Sequence, residues 1–179
     1  MTFWSQAGAQ PKRNYRFRVT ISKLTTLTGL TTTVSNGVMW WAKAVTLPSF
    51  DVSNAEVHHF DNRYYFPGRV TWNPVSLTLT DPVTPDAAEI TSRLLENSDY
   101  DVPANDAAKK TTLNRDESIK TIGDVIIEVL QDKGNTTDFK VVEKWTLKNA
   151  FIESAKYGDL AYDNDELKTI EMTLRYDVA

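Results

Sequence analysis

The chain has no cysteine among its 179 residues, which excludes disulfides, a thiolate nucleophile and any cysteine metal site. Histidine is almost as scarce, with two, adjacent at His58 and His59. Neighbours in an extended strand point to opposite faces, so this pair cannot readily share a metal ion. Seven glycines are scattered, with no Gly-x-x-x-x-Gly-Lys phosphate loop and no Gly-x-Ser-x-Gly elbow. No run approaches the ~20 apolar residues of a membrane-spanning helix. The start, "MTFWSQAGAQPKRNYRF", places its bases after its apolar residues and has no apolar core, unlike a secretory signal. The acidic run "DNDE" (163–166) lacks the spacing and glycine of a calcium hand and reads as a solvated turn. These absences point to a cytoplasmically made protein with no catalytic site, no cofactor and no metal.

What is present is ordinary for a globular chain: 41% hydrophobic and 25% charged, with a net charge of −4. At this length one domain spanning 1–179 is expected, since such a chain buries roughly 70% of its unfolded surface. The charge is unevenly spread. Residues 1–80 carry eight Lys/Arg against three Asp/Glu, a balance of +5, and residues 81–179 carry twelve against twenty-one, a balance of −9. Solvated faces account for such a split, and so do complementary surfaces that meet between copies. The overall sign argues against a dedicated nucleic-acid binder.

Alternation with period two dominates the chain. In "NYRFRVTIS" (14–22), Tyr15, Phe17, Val19 and Ile21 share one face. Val75, Leu77 and Leu79 repeat the pattern, and Ile170, Met172, Leu174, Tyr176 and Val178 form the cleanest case. "GDVIIEVLQD" (123–132) is apolar on both faces, as a central strand is. "DKGNTTD" reads as a hairpin turn before "KVVEKWTLKNA" (140–150). One helix is expected over 84–97, with Thr84 as N-cap, Pro85 in the first turn, Ala87, Ile90 and Leu94 inward with Leu95 beside them, and Glu89–Arg93 paired outside. The threonine-rich 23–37 reads as a loose hairpin or loop, and 99–120 as a long surface loop. Residues 1–13 form an N-terminal extension. The expected fold is mainly β, a sandwich or rolled barrel of about seven or eight antiparallel strands with one flanking helix.

One stretch resists that scheme. In "FDNRYYFPGRVTW" (60–72), read as a strand, Phe60, Asn62, Tyr64 and Phe66 share one face and Asp61, Arg63 and Tyr65 the other. Both faces are mixed, unlike a half-buried strand. Trp40-Trp41 and Tyr64-Tyr65 could stack on sugars, as in a carbohydrate-binding sandwich. Alternatively their members divide between core and interface, since both environments favour aromatics.

The order of these pieces resembles the tail tube proteins of contractile-tailed, T4-type bacteriophages. The succession is "NYRFRVTIS", "WWAKAVTLPSFDV" with a Leu47-Pro48 corner, and "VHHFDNRYYFPGR" with Asn62-Arg63 and a corner at Pro67-Gly68. "VTWNPVSLTLTDP" then runs into the helix, and "WTLKNAFIESAKYGDLAYDNDELKTIEMTLRYD" closes the chain. The match covers roughly 14–98 and 123–178. The resemblance implies a structural virion subunit that forms six-membered rings, which stack into the hollow tube through which DNA is ejected. Inner-tube and tube-initiator proteins of related contractile injection systems share the fold. The implied partners are further copies of the chain, the surrounding tail sheath, the baseplate tube-initiator and the tail terminator. Assembly in the bacterial cytoplasm and residence in the virion follow, with no membrane. DNA would cross the lumen without specific binding, past rings that each carry about −24. On this resemblance Phe60, Asn62, Arg63, Tyr64, Tyr65, Phe66, Pro67 and Gly68 are subunit and ring contacts, in strands that close a barrel with neighbours.

Overall fold

Val75, Leu77 and Leu79 turn inward from β5 (Val75–Thr80), and Ile170, Met172 and Leu174 from β9 (Thr169–Arg175); all six are buried. The two strands pair antiparallel in the register Val75↔Leu174, Leu77↔Met172 and Leu79↔Ile170, so a single apolar stripe crosses both. β2 (Ala42–Val45) and β8 (Phe151–Lys156) flank them in a four-stranded sheet of order β2-β5-β9-β8. A second sheet orders β1 (Phe17–Ile21), β6 (Val125–Asp132) and β7 (Phe139–Leu147), with β6 in the centre as its two-sided apolar pattern requires. Arg18 points away from the core and bonds Glu128 of β6 at 2.6 Å, its cross-strand partner. Both sheets, with Met39 and Trp41, feed one buried cluster. β3 (Phe50–His59) and β4 (Asn62–Trp72) form a separate two-stranded ribbon.

This computed structural model describes residues 12–26, 37, 39–84, 86–100, 112–132, 139–163 and 165–179. Nine antiparallel strands and two α-helices lie among them, a mainly β fold of the expected class with one helix more than the sequence signals. α1 (Ala87–Glu96) buries Ala87, Ile90 and Leu94, but its cap is Asp86 and not Thr84. The Asp86 carboxylate accepts from the Glu89 N–H at 3.0 Å, and Pro85 lies outside the described residues. Arg93 bonds Glu96 at 2.6 Å, and Leu95 lies at the exposed margin of the stripe. α2 (Arg115–Ile122) corrects the end of the long loop expected over 99–120, of which 101–111 lie outside the described residues. Asn114 caps it, Asp116 and Glu117 occupy its first turn and Lys120 its last, all favourable to the helix dipole. Its buried side is Ser118, Thr121 and Ile122, too polar for a hydrophobic period to show. Residues 24–26 form a 3-10 turn; 27–36, most of the 132–138 turn and most of the N-terminal extension lie outside the described residues. Tyr15 and Val178 are exposed, against their expected inward placement. Both sit where pairing ends: Tyr15 precedes β1, and Val178 makes only an isolated bridge to Lys148.

Asp81 links the start of α1 to the far end of the β8–β9 connection. One carboxylate oxygen accepts from the Ala87 N–H at 3.1 Å and the other from Lys168 Nζ at 2.7 Å. The hydrogen bond and charge of Asp81 hold the Lys168 pKa above 10.5. Because the folded value is the higher, the pair's contribution is complete below the unfolded value and disappears as pH rises through the folded one. Lys168→Met is therefore expected to lower the melting temperature slightly at neutral pH. That difference from the parent should vanish well above pH 10.5, as thermal melts of the two proteins across pH would register.

Candidate assembly surface

The ribbon begins at a fixed root. Asn73 Nδ2 donates to Asp51 at 2.9 Å, and its N–H to the Ser49 carbonyl at 2.9 Å. Trp72 packs edge-on against Phe50, with ring centroids 5.4 Å apart, and lies 6.1 Å from Tyr176 of the body. Beyond that root neither strand pairs with any other, and every residue of β3 and all of β4 before Trp72 is exposed. Ten residues of extended chain reach roughly 33 Å.

The structure corrects the reading of "FDNRYYFPGRVTW" in two places. Phe60 and Asp61 belong to no strand; they form the tip turn, with Phe60 at φ 52. Pro67-Gly68 is no corner either, because β4 runs straight through it. Gly68 and Arg69 together oppose Ser53, a β-bulge that gives β4 one extra residue. Gly68 does not have positive φ. It is needed for close approach: a Cβ there would meet Ser53 Oγ at 2.4 Å and the Ser53 carbonyl at 3.0 Å. Ser53 Oγ also accepts from the Arg69 N–H at 2.8 Å, which closes the bulge.

The bulge divides the ribbon into a tip half and a root half. Toward the tip, Ala55↔Phe66 and Val57↔Tyr64 put the apolar pairs on one face, while Glu56↔Tyr65 and His58↔Arg63 occupy the other. Glu56 lies 3.5 Å from both Arg63 and His58 on that polar face. Toward the root the order inverts, because Phe50↔Trp72 and Val52↔Val70 fall on the face that is polar at the tip. The ribbon therefore carries two apolar patches on opposite faces. Of the candidate contacts, Asn62, Tyr64 and Phe66 share one face, Arg63, Tyr65 and Pro67 the other, Gly68 is the bulge and Phe60 the tip.

Phe60 is 91% exposed in a backbone conformation that favours glycine. Such strain costs on the order of 1 kcal/mol. Phe60→Gly is expected to leave the melting temperature within about 2 °C, since relieved strain offsets the added chain entropy. It should nevertheless weaken assembly, measured by sedimentation.

The sugar-platform alternative lacks its geometry. Trp40 is 67% exposed but Trp41 is 4% exposed, and their rings stand at 88°. Tyr64 and Tyr65 lie on opposite faces of the ribbon. Neither pair offers a flat double platform. Among the described residues no three His, Asp or Glu side chains gather as metal ligands, and no helix is long and apolar enough to cross a membrane.

No protein-family model and no curated protein matches the sequence. Solved structures do match. A chain of the anti-feeding prophage tube-terminating cap is 16% identical over 98% of this chain and 94% of its own, with TM-score 0.61. A chain of the PVC extracellular contractile injection system, from its sheath/tube terminator in the extended state, is 14% identical over 96% of each, with TM-score 0.62. One from the PVC sheath–tube complex is 17% identical over 99% and 95%, with TM-score 0.58. At such identities the likeness is one of fold, and it spans nearly the whole of each chain: this protein has the tail-tube type of fold found in the tube and tube-terminating assemblies of contractile injection systems.

Proposed function

We propose that the chain is a structural, non-enzymatic subunit whose copies form six-membered rings that stack into the hollow inner tube of a contractile phage tail. The observation that carries this reading is the ribbon 50–72. An isolated two-stranded ribbon is marginal in water, and this one presents Phe50, Val52, Val57, Tyr64, Phe66 and Val70 to solvent. Its outer edges leave ladder hydrogen bonds unmade, a liability that closing a barrel with neighbouring copies removes. Patches on opposite faces suit a strand pair lying between two different surfaces, its own assembly's body on one side and another subunit on the other.

The reading extends to the surroundings: a sheath outside, a baseplate initiator below and a terminator above. DNA would pass through a lumen that does not bind it, in keeping with the net charge of −4 per subunit. A single domain over 1–179 and residence in the virion belong to the same proposal. The fold likeness to cap chains is as strong as that to the sheath–tube chain, which supports a second reading in which the subunit caps or initiates the tube of an injection particle. Negative-stain microscopy of the purified protein separates them. Long tubes favour the tube subunit, whereas rings that never stack favour the cap.

A further inference from the structure

The uneven charge of the chain becomes spatial in the fold. A groove of about 730 Å³ runs between β2 and the β1-β6-β7 sheet, lined also by the segment that leads into β1. Its floor is apolar, with Phe17, Val45 and Ile127, and its walls carry Lys12, Arg13, Arg16 and Lys43 against one carboxylate, Glu143. Glu143 is itself bonded to Lys12 and to Trp145 Nε1, so the groove keeps a positive excess.

The converse surface is the β8–β9 connection, 157–168. Its described residues form no strand or helix, and Leu160, Tyr162 and Leu167 stand mostly or fully in solvent. Asp159, Asp163, Asp165 and Glu166 lie among them. Lys168, at the end of the arm, is held by Asp81. The arm has a defined root: Gly158 has φ 71, and a Cβ there would come within 2.9 Å of the Thr169 carbonyl. Acidic and apolar on one side, basic and apolar-floored on the other, the two surfaces are complementary.

They do not meet within one subunit, since no described residue of the arm lines the groove. The groove takes in 43–47 on the β2 edge of the four-stranded sheet, whereas the arm runs from β8, the opposite edge, back to β9, two strands from β2. A contact that joins one edge of a copy to the other edge of the next is heterologous, so it propagates into a ring or a chain and does not close as a pair.

We infer that the acidic arm 157–168 of each copy docks into the basic β1–β2 groove of the next, giving a head-to-tail contact separate from the β3–β4 ribbon. This inference rests on the reading of the chain as a self-assembling subunit. Leu160 and Tyr162 supply the apolar contact, and Asp163 and Asp165 face Arg13 and Lys43.

The absence of native cysteine makes a direct test possible. Ala44→Cys in the groove and Ala161→Cys in the arm, combined in one chain, should on mild oxidation give a ladder of trimers and longer species linked through positions 44 and 161. Each single variant can give dimers at most. In that background, Arg13→Glu with Lys43→Glu, or Asp163→Lys with Asp165→Lys, should lower the ladder at least about tenfold, and all four reversals together should restore it. Microscopy of the same samples keeps the two claims apart. Six-fold rings without the 44–161 link overturn the docking and leave the ring reading standing, while a ladder without rings upholds the docking and overturns the ring reading. Neither rings nor ladder overturns both. A ladder lost on reversing the groove but kept on reversing the arm also overturns the proposal, since some other segment then fills the groove.

Discussion

Tyr64→Ala combined with Phe66→Ala is expected to abolish rings and tubes while leaving a folded subunit. Both side chains lie on the apolar face of the ribbon's tip half, opposite Val57 and Ala55, and both are about half exposed. A side chain exposed in the subunit contributes within about 0.5 kcal/mol to its stability. The same aromatic at the centre of an interface is worth about 2 kcal/mol or more, and the loss repeats at every contact around the ring. Each ~1.4 kcal/mol weakens a contact tenfold, so losses from two aromatics should move assembly beyond reach at ordinary concentrations. Circular dichroism should report an unchanged melt, and microscopy no particles. Arg63→Ala with Tyr65→Ala samples the opposite, polar face and should act in the same direction. If either double variant unfolds, the ribbon belongs to the subunit's own core; if both still build normal tubes, it is not the interface.

Leu174→Ala should do the reverse. Leu174 is buried in β9, paired with Val75 and Ile152 across its two neighbouring strands. Truncating such a side chain leaves a cavity and costs about 2–5 kcal/mol, which in a chain of this size lowers the melting temperature by roughly 5–15 °C. The variant that remains folded at low temperature should still assemble, because no proposed contact involves it. Thermal melts and microscopy of the two kinds of variant should thus separate along different axes, one losing assembly and the other stability.

The contrast mirrors what was legible in the residues. Strands that bury one face announce themselves, because water and core impose opposite demands on alternate positions; β5 and β9 are legible for that reason, and β6 by the apolar residues on both its faces. Helix α1 showed its apolar stripe, but its start was placed at Thr84 because Thr-Pro is as good an opening as Asp86 on composition alone. Helix α2 gave no stripe, since Ser118 and Thr121 do the packing that Leu or Ile would advertise. The ribbon was flagged by its composition but misdrawn. A tip turn normally signals itself with glycine or asparagine, and here it is Phe60-Asp61. The glycine that looked like a corner, Gly68, sits instead in a bulge, opposite Ser53. A one-residue bulge reverses which face every later side chain occupies, and no period read along a single strand can show that. The basic groove is not legible in the sequence because its walls come from the segment just before β1 and from β2, some thirty residues apart and joined only by tertiary structure.

The central claim, that this chain exists to assemble with itself, is tested most directly by negative-stain microscopy of the purified protein over a range of concentrations, with sedimentation on the same samples. The account predicts rings of six subunits with a central channel, stacked into tubes as concentration rises. A protein that stays monomeric at every concentration, with no rings in any field, would contradict it.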